Sequence, residues 1–260
     1  MTDLTTDPYA NIVELYDQEH DPYDEDIEFY VGLLEDPTSR ILEMGAGSGR
    51  LLVELAREGF HVTGLDSSAP MLAQAKRRLL EEGVSRNVTL FEGTMQEAAK
   101  APGGPFDLVI FSLNALMHLP SQEEQRDAIA ASFAALRKGG IIVFDCMNPT
   151  LEQLHYLTSK QHLEASWENE DGSTTDKWSH RDLDSVEQTL DTVLYYDTTT
   201  PDGALRRVRT QFVLRYVTPS ELKLLLNLAG FTNVGLFGSF ALDELSDNSD
   251  RIIALAQVPA

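Results

Sequence analysis

Between residues 39 and 146 the sequence alternates with a regularity that few folds accommodate. Five short apolar runs, RILEMG, HVTGLD, NVTLFEG, FDLVIFS and IIVFDC, are separated by stretches carrying helix start and stop signals. In the first of these, Leu51, Leu52 and Leu55 share a face and Gly59 closes the segment. The second, SAPMLAQAKRRLLEEG, opens on a Ser cap and an early Pro and stops at Gly83. Thr94 with Glu97, and Ser121 with Glu124, have the spacing of capping boxes, and the latter predicts a helix running on to Gly139. Strands alternating with helices at this spacing form a parallel sheet covered on both faces, with right-handed crossovers.

The flanks differ in texture. Ile12, Leu15 and Tyr16, and then Ile27, Tyr30, Val31 and Leu34, recur at helical spacing and predict two short helices bent at HDPYD. After residue 150 the chain is rich in β-branched and aromatic residues and carries two turn signals, EDG and PDG. It reads as antiparallel strands making a small lid too polar for a deep core of its own. In TPSELKLLLNLAG, Thr218 caps a helix, Pro219 takes the first turn, Glu221 completes a capping box and Gly230 stops it. FTNVGLFGSF and RIIALAQV follow as a hairpin, which makes the last strand antiparallel.

The expected fold is α/β: a doubly wound, mostly parallel seven-stranded sheet with an antiparallel last strand. Residues 1–38 form a helical cap, 39–150 the ligand-binding core, 151–217 the β insertion, and 218–260 complete the sheet.

Charge bounds the partners. Forty-two acidic against 20 basic residues give a formal charge of −22, which repels phosphate backbones and acidic membranes. Neither a nucleic-acid nor a membrane partner is expected. The acidic first thirty residues do not read as a signal peptide, and no apolar run is long enough to span a bilayer. The single cysteine, Cys146, lies in an apolar run, reads as a buried inert thiol and fits a reducing cytoplasmic setting. No cysteine and histidine cluster suggests a metal.

The loop after the first strand, EMGAGSGR, narrows the ligand. A dinucleotide fingerprint wants G-x-G-x-x-G. Gly45 and Gly47 are in place, but the third position falls on Arg50, and the glycine comes one residue early at Gly49. An NAD-dependent oxidoreductase would need that third glycine to bring helix against strand. Glu43 ends the first strand, and Asp66 ends the second.

E-x-G-x-G-x-G followed by an acid at the next strand end resembles the class I S-adenosylmethionine-dependent methyltransferases over residues 35–150. The resemblance implies S-adenosyl-L-methionine as cofactor. It places the methionine part along Gly45, Ala46, Gly47 and Gly49, with the Glu43 carboxylate supporting the loop and balancing positive charge. It places the ribose diol on Asp66, beside Ser67 and Met71. It places adenine near Gly93, Thr94 and Met95, with Thr94 where many relatives have Asp. Ser112 and Leu113 end the fourth strand at the same mouth.

NALMHL after that strand is similar to the small-molecule N-methyltransferases, those acting on glycine, sarcosine and amino sugars. In these families a histidine at the position of His118 lies beside the reactive centre. YDQEHDPY resembles their leader and implies Tyr16, and less closely Tyr23, near the sulfonium. His118 is expected to take the acceptor's proton, with Tyr16 as its hydrogen-bond partner. Asn114 and Asn148 are further candidates at the mouth. Trp178, Arg181, Tyr195, Arg209 and Arg215 are candidates for a lid that selects the acceptor, the arginines by holding a carboxylate. The partner is then a small-molecule acceptor, methylated on nitrogen or, alternatively, on oxygen. A non-catalytic S-adenosylmethionine-binding protein and a protein methyltransferase remain open, and the β-rich insertion is where two copies could pair as a homodimer.

Overall fold

The computed structural model describes residues 7–260. Two helices, α1 (Val13–His20) and α2 (Ile27–Gly32), precede β1 (Arg40–Met44). Then follow α3 (Arg50–Arg57), β2 (His61–Asp66), α4 (Ala69–Glu81), β3 (Val88–Glu92), β4 (Phe106–Phe111), α5 (Gln122–Ala135) and β5 (Leu136–Met147). Helix α6 (Leu151–Thr158) leads into β6 (His162–Glu168), β7 (Thr174–Asp184), β8 (Thr189–Thr199) and β9 (Leu205–Arg215). Helix α7 (Pro219–Ala229), β10 (Thr232–Phe237) and β11 (Arg251–Gln257) end the chain.

Seven strands form one sheet in the order β10-β11-β5-β4-β1-β2-β3, and four form a second in the order β6-β7-β8-β9. In the large sheet β11 runs antiparallel to both β5 and β10, as the hairpin pattern requires. The strand order reverses between β1 and β4, which pair parallel. Ligands of such sheets lie in the crevice beyond the carboxyl ends of the strands at this reversal. Apolar clusters cover both faces: Leu42, Val109, Phe111, Ile129 and Phe144 on one, Ile41, Leu52, Leu55, Ile110 and Val143 on the other. Buried on both sides, the central strands read as continuous apolar runs.

Two expectations need correction. Helix α5 ends at Ala135, and residues from Leu136 already belong to β5. Leu136 takes extended backbone, φ −80° and ψ 149°, and pairs with Phe106 of β4, so the chain enters the sheet before it reaches Gly139. The insertion also begins with α6, started by the Thr150 hydroxyl, which accepts from the Gln153 N–H at 3.1 Å. That helix is eight residues long and half exposed, so its apolar periodicity is weak.

In α7, Thr218 accepts from the Glu221 N–H at 3.3 Å and Gly230 takes the left-handed conformation, φ 100°, but the expected capping box does not close, because the Glu221 carboxylate accepts instead from Arg215, Gln122 and Gln188. Thr218→Ala should cost about 1 kcal/mol of stability, measured by urea unfolding. An unchanged midpoint would show that the cap is idle.

Candidate active site

The glycine loop turns back over the carboxyl end of β1. Gly45, Gly47 and Gly49 have φ of 74°, 54° and 85°, a region that side chains disfavour. A Cβ at Gly45 would come within 3.1 Å of Met95 Cε and 3.2 Å of Ala115 Cβ. One at Gly47 would come within 3.9 Å of the Tyr16 ring. These two bare positions leave a strip of backbone walled by Met95, Ala115 and Tyr16.

Gly49 serves packing instead, since a Cβ there would lie 3.1 Å from Ala75 Cβ on α4. The close helix–strand approach that dinucleotide folds obtain from a third loop glycine comes here from Gly64 on β2. A Cβ at Gly64 would overlap Leu52 Cδ1 of α3 at 2.6 Å. Arg50 is thereby free for another task. Its guanidinium grips the buried Asp26 carboxylate through two hydrogen bonds, 2.8 and 2.6 Å, and donates to the Tyr23 carbonyl at 2.9 Å. It also lies 5.4 Å from the Tyr23 ring centroid, so the N-terminal cap is fastened to the loop.

Asp66, at the tip of β2, is half-buried. Its carboxylate accepts from the Gly47 N–H and the Ser68 N–H, both at 2.8 Å. Each oxygen keeps a further acceptor site. Ser67 is exposed beside it. Ser68 caps α4 by accepting from the Met71 N–H and donates to Asp7 at 2.6 Å. Met71, in the first turn of α4, is buried. The Gly93 N–H donates to the Asp66 carbonyl at 3.0 Å, which brings the end of β3 to the same place. Thr94 forms the expected capping box with Glu97 and is exposed.

Glu43 is buried at the end of β1, where the Ser112 hydroxyl donates to one carboxyl oxygen at 3.1 Å. The other oxygen is buried with no partner among the described residues. Burial pushes this carboxyl up to about 8 against the pull of Arg50. A buried acidic oxygen without a donor, beside a strip of bare backbone, suits a cationic ammonium or sulfonium. The donor set therefore fits S-adenosylmethionine: Glu43 and the loop backbone for the cationic end, Asp66 for the ribose diol.

Beyond β4 the chain turns sharply through Leu113 and Asn114, with φ of 45° and 64°. Asn114 locks this turn to β5, donating its N–H to the Asp145 carbonyl at 2.9 Å and accepting from the Met147 N–H at 2.6 Å. The turn delivers a short 3-10 segment, Ala115–His118, to the mouth. His118 is half-buried, and its Nε2 lies 3.2 Å from the Tyr9 hydroxyl. Phe212 of β9 completes the cluster, with ring centroids 5.5 Å from His118 and 5.9 Å from Tyr9.

Here the geometry revises the sequence reading. His118 pairs with Tyr9, not Tyr16. Tyr16 stacks on His20 at 4.0 Å between ring centroids and covers Gly47, while Tyr9 stands edge-on to it at 5.8 Å. Tyr9 lies in the turn that precedes α1, outside the helix that carries Tyr16, so helical spacing does not mark it. Burial also pushes the imidazole of His118 down to about 4, so it is neutral near pH 7 and a weak base. Both Tyr9 and Tyr16 are held above the ordinary tyrosine value by burial and remain phenols.

Other candidates are structural. The Asn148 amide donates to the carbonyls of Ser246 and Ser249 at 3.2 and 2.9 Å and pins the loop before β11. On the four-stranded sheet, alternation puts Leu194, Tyr196, Thr210 and Phe212 on the face that meets α1 and Tyr9. Trp178, Tyr195 and Arg209 are register partners on the opposite face, which removes them from the cleft. Arg181 is paired with Glu164 at 2.6 Å, and Lys177 bridges Glu19 at 2.6 Å and Glu164 at 3.1 Å. Arg215 is buried and tied to Glu221 at 2.8 Å and Gln125 at 2.7 Å. None of these arginines is left to hold an acceptor carboxylate.

No described helix is long and apolar enough to cross a membrane, and no group of three or more metal-ligating side chains occurs among the described residues.

Known proteins resemble this chain in sequence and fold. Residues 41–140 match the family described as "Methyltransferase domain". A Geobacillus sp. (strain WCH70) protein named as a methyltransferase is 27% identical over 220 residues, 84% of each chain. The ubiquinone biosynthesis O-methyltransferase of Cronobacter sakazakii is 35% identical over 109 residues, 42% of each chain, so the chain matches less than half the length of that relative. Among solved structures, the CcbJ methyltransferase from Streptomyces caelestis superimposes with a TM-score of 0.79 at 25% identity, covering 98% of this chain and 100% of that one. S-adenosylmethionine-bound CalS10, an amino pentose methyltransferase from Micromonospora echinaspora, superimposes with a TM-score of 0.72 at 20% identity, covering 99% and 100%. Residues 41–140 thus carry a methyltransferase domain on a class I, Rossmann-like fold, and the protein is an S-adenosylmethionine-dependent methyltransferase.

Proposed function

We propose that the protein methylates an amine nitrogen of a small, non-acidic acceptor held between Tyr9, His118 and Phe212, under the four-stranded sheet. The observation that carries this reading is the Tyr9–His118 pair, uncharged and walled by aromatic rings, in a cleft whose nearby cations already have carboxylate partners. An acceptor bearing a carboxylate would meet no free cation there among the described residues. A neutral amine needs none. The amino pentose enzyme that shares the fold along the whole chain supports nitrogen. The O-methyltransferase relative favours an oxygen acceptor, but its likeness covers less than half of this chain.

Bound S-adenosylmethionine supplies an electrophilic methyl group and a neutral thioether leaving group. The chain supplies position. The bare loop and Asp66 hold the nucleoside, and Tyr16 closes over Gly47. His118 accepts the Tyr9 proton in a hydrogen bond, which leaves the phenolic oxygen free to accept from an acceptor N–H. With His118 a weak base, the acceptor reacts as its free amine, and the proton released from the methylated nitrogen passes to water.

Glu43 adds a proton-linked prediction. Its carboxyl, titrating near 8 in the free protein, is mostly protonated at pH 7. A bound cation lowers that value, so binding releases up to one proton and affinity rises with pH until about 8. Calorimetry of S-adenosylmethionine in buffers of different ionisation enthalpy should show this release at pH 7, and Glu43→Gln should abolish it. Equal proton release by both proteins would remove Glu43 from cofactor binding.

The reading is tested by methyl transfer to a panel of amino sugars, simple amines, phenols and amino acids. Turnover confined to non-acidic amines is expected. Turnover of phenols alone would move the acceptor atom to oxygen.

A further inference from the structure

At the end of the sheet opposite the cofactor loop lies a cavity of about 360 Å³ with an unusual electrostatic character for so acidic a protein. Its lining includes Arg40 at the start of β1, His61 at the start of β2, and Arg86 in the turn before β3. Arg40 and His61 are register partners on adjacent parallel strands, so their side chains leave the sheet on the same face. Thr63 and Thr89, also register partners, continue that face and line the same cavity. The glycine pair at 103–104, where side chains are absent, also lines the cavity. A Cβ at Gly103 would lie 3.1 Å from the Thr63 hydroxyl.

The charges are left unbalanced. Among the described residues nine arginines pair with a carboxylate, as 42 acids against 20 bases would lead one to expect. Arg40 and Arg86 are among the five that do not, with Arg77, Arg206 and Arg209, and of these five only Arg40 and Arg86 line this cavity. The nearby Asp107 carboxylate is committed to the Arg40 backbone N–H, at 2.8 Å, and to the Arg137 side chain. The Thr63 hydroxyl already donates to the Pro102 carbonyl at 2.8 Å, which leaves two guanidinium forks, an imidazole and the Thr89 hydroxyl as a donor set for a tetrahedral dianion.

We propose that this cavity is a binding site for a phosphoryl group, as inorganic phosphate or as the phosphate of a small monoester, separate from the methyl-transfer cleft. Carboxylates suit it less well, because two forks at different strand ends match an anion with three free oxygens. The site is independent of the acceptor assignment, since no residue is shared between them.

Calorimetry of the full chain with inorganic phosphate, ribose 5-phosphate and acetate, at constant ionic strength, tests the assignment. At least one phosphate probe should give saturable one-site binding, and acetate should bind at least about tenfold more weakly. The double variant Arg40→Gln, Arg86→Gln should weaken phosphate binding at least about tenfold while S-adenosylhomocysteine affinity stays unchanged, which shows the variant is folded. No saturable binding at millimolar phosphate, equal binding of acetate, or equal phosphate binding by the double variant would each overturn it.

Discussion

His118→Ala should lower kcat by about 10²-fold while leaving S-adenosylhomocysteine affinity within about twofold. The expectation follows from what His118 touches. Its Nε2 holds the Tyr9 hydroxyl at 3.2 Å, and both rings pack on Phe212, whereas the cofactor loop is walled by other residues. Losing the imidazole frees Tyr9 to turn, and the acceptor loses its aim. Tyr9→Phe should give a comparable loss. The double variant should be little worse than either single one, because the two side chains act as a unit. Additive losses would separate them.

The pH dependence discriminates further. A general base of ordinary histidine character would give an acid limb near 6.5. Burial holds His118 near 4, so it stays neutral across the working range. The rate should instead rise with pH as the acceptor's ammonium loses its proton, and His118→Ala should keep the same profile at a lower level. An inflection near 6.5 that vanishes in His118→Ala would contradict this account.

Asp66→Ala should weaken S-adenosylmethionine binding by about 1–3 kcal/mol, roughly 5- to 150-fold. Two effects combine. The ribose loses a charge-assisted acceptor, and the Gly47 N–H loses the carboxylate that fixes the loop at 2.8 Å. Asp66→Asn keeps one acceptor oxygen and should fall between. An unchanged dissociation constant for Asp66→Ala would show that the nucleoside is held elsewhere.

The fold was legible because its signals are local and repeated. Short apolar runs, caps such as Ser68 and Thr218, and stops such as Gly230 each act within a few residues, and the structure keeps them. The cofactor loop was legible for the same reason, since Gly45, Gly47 and Glu43 are adjacent in sequence. What escaped was assembled from afar. Tyr9 meets His118 across 109 residues, and Phe212 joins them from the four-stranded sheet. Tyr16 looked the better partner because leader motifs carry it, yet its helical position sets it over Gly47. The lid arginines looked available because sequence shows their charge and not their partners. Register decides both points, by sending Arg209 outward and by setting Arg181 beside Glu164. The low basicity of His118 is likewise a product of burial.

The glycine loop, the Asp66 carboxylate and the Tyr9–His118 pair should line one cleft. The most direct measurement is a crystal structure of the complex with S-adenosylhomocysteine. The ribose diol should be bonded to Asp66 while that carboxylate still holds the Gly47 N–H, and the sulfur should face the Tyr9–His118 side of the cleft. A nucleoside bound away from Asp66, or a sulfur turned from Tyr9 and His118, would contradict it.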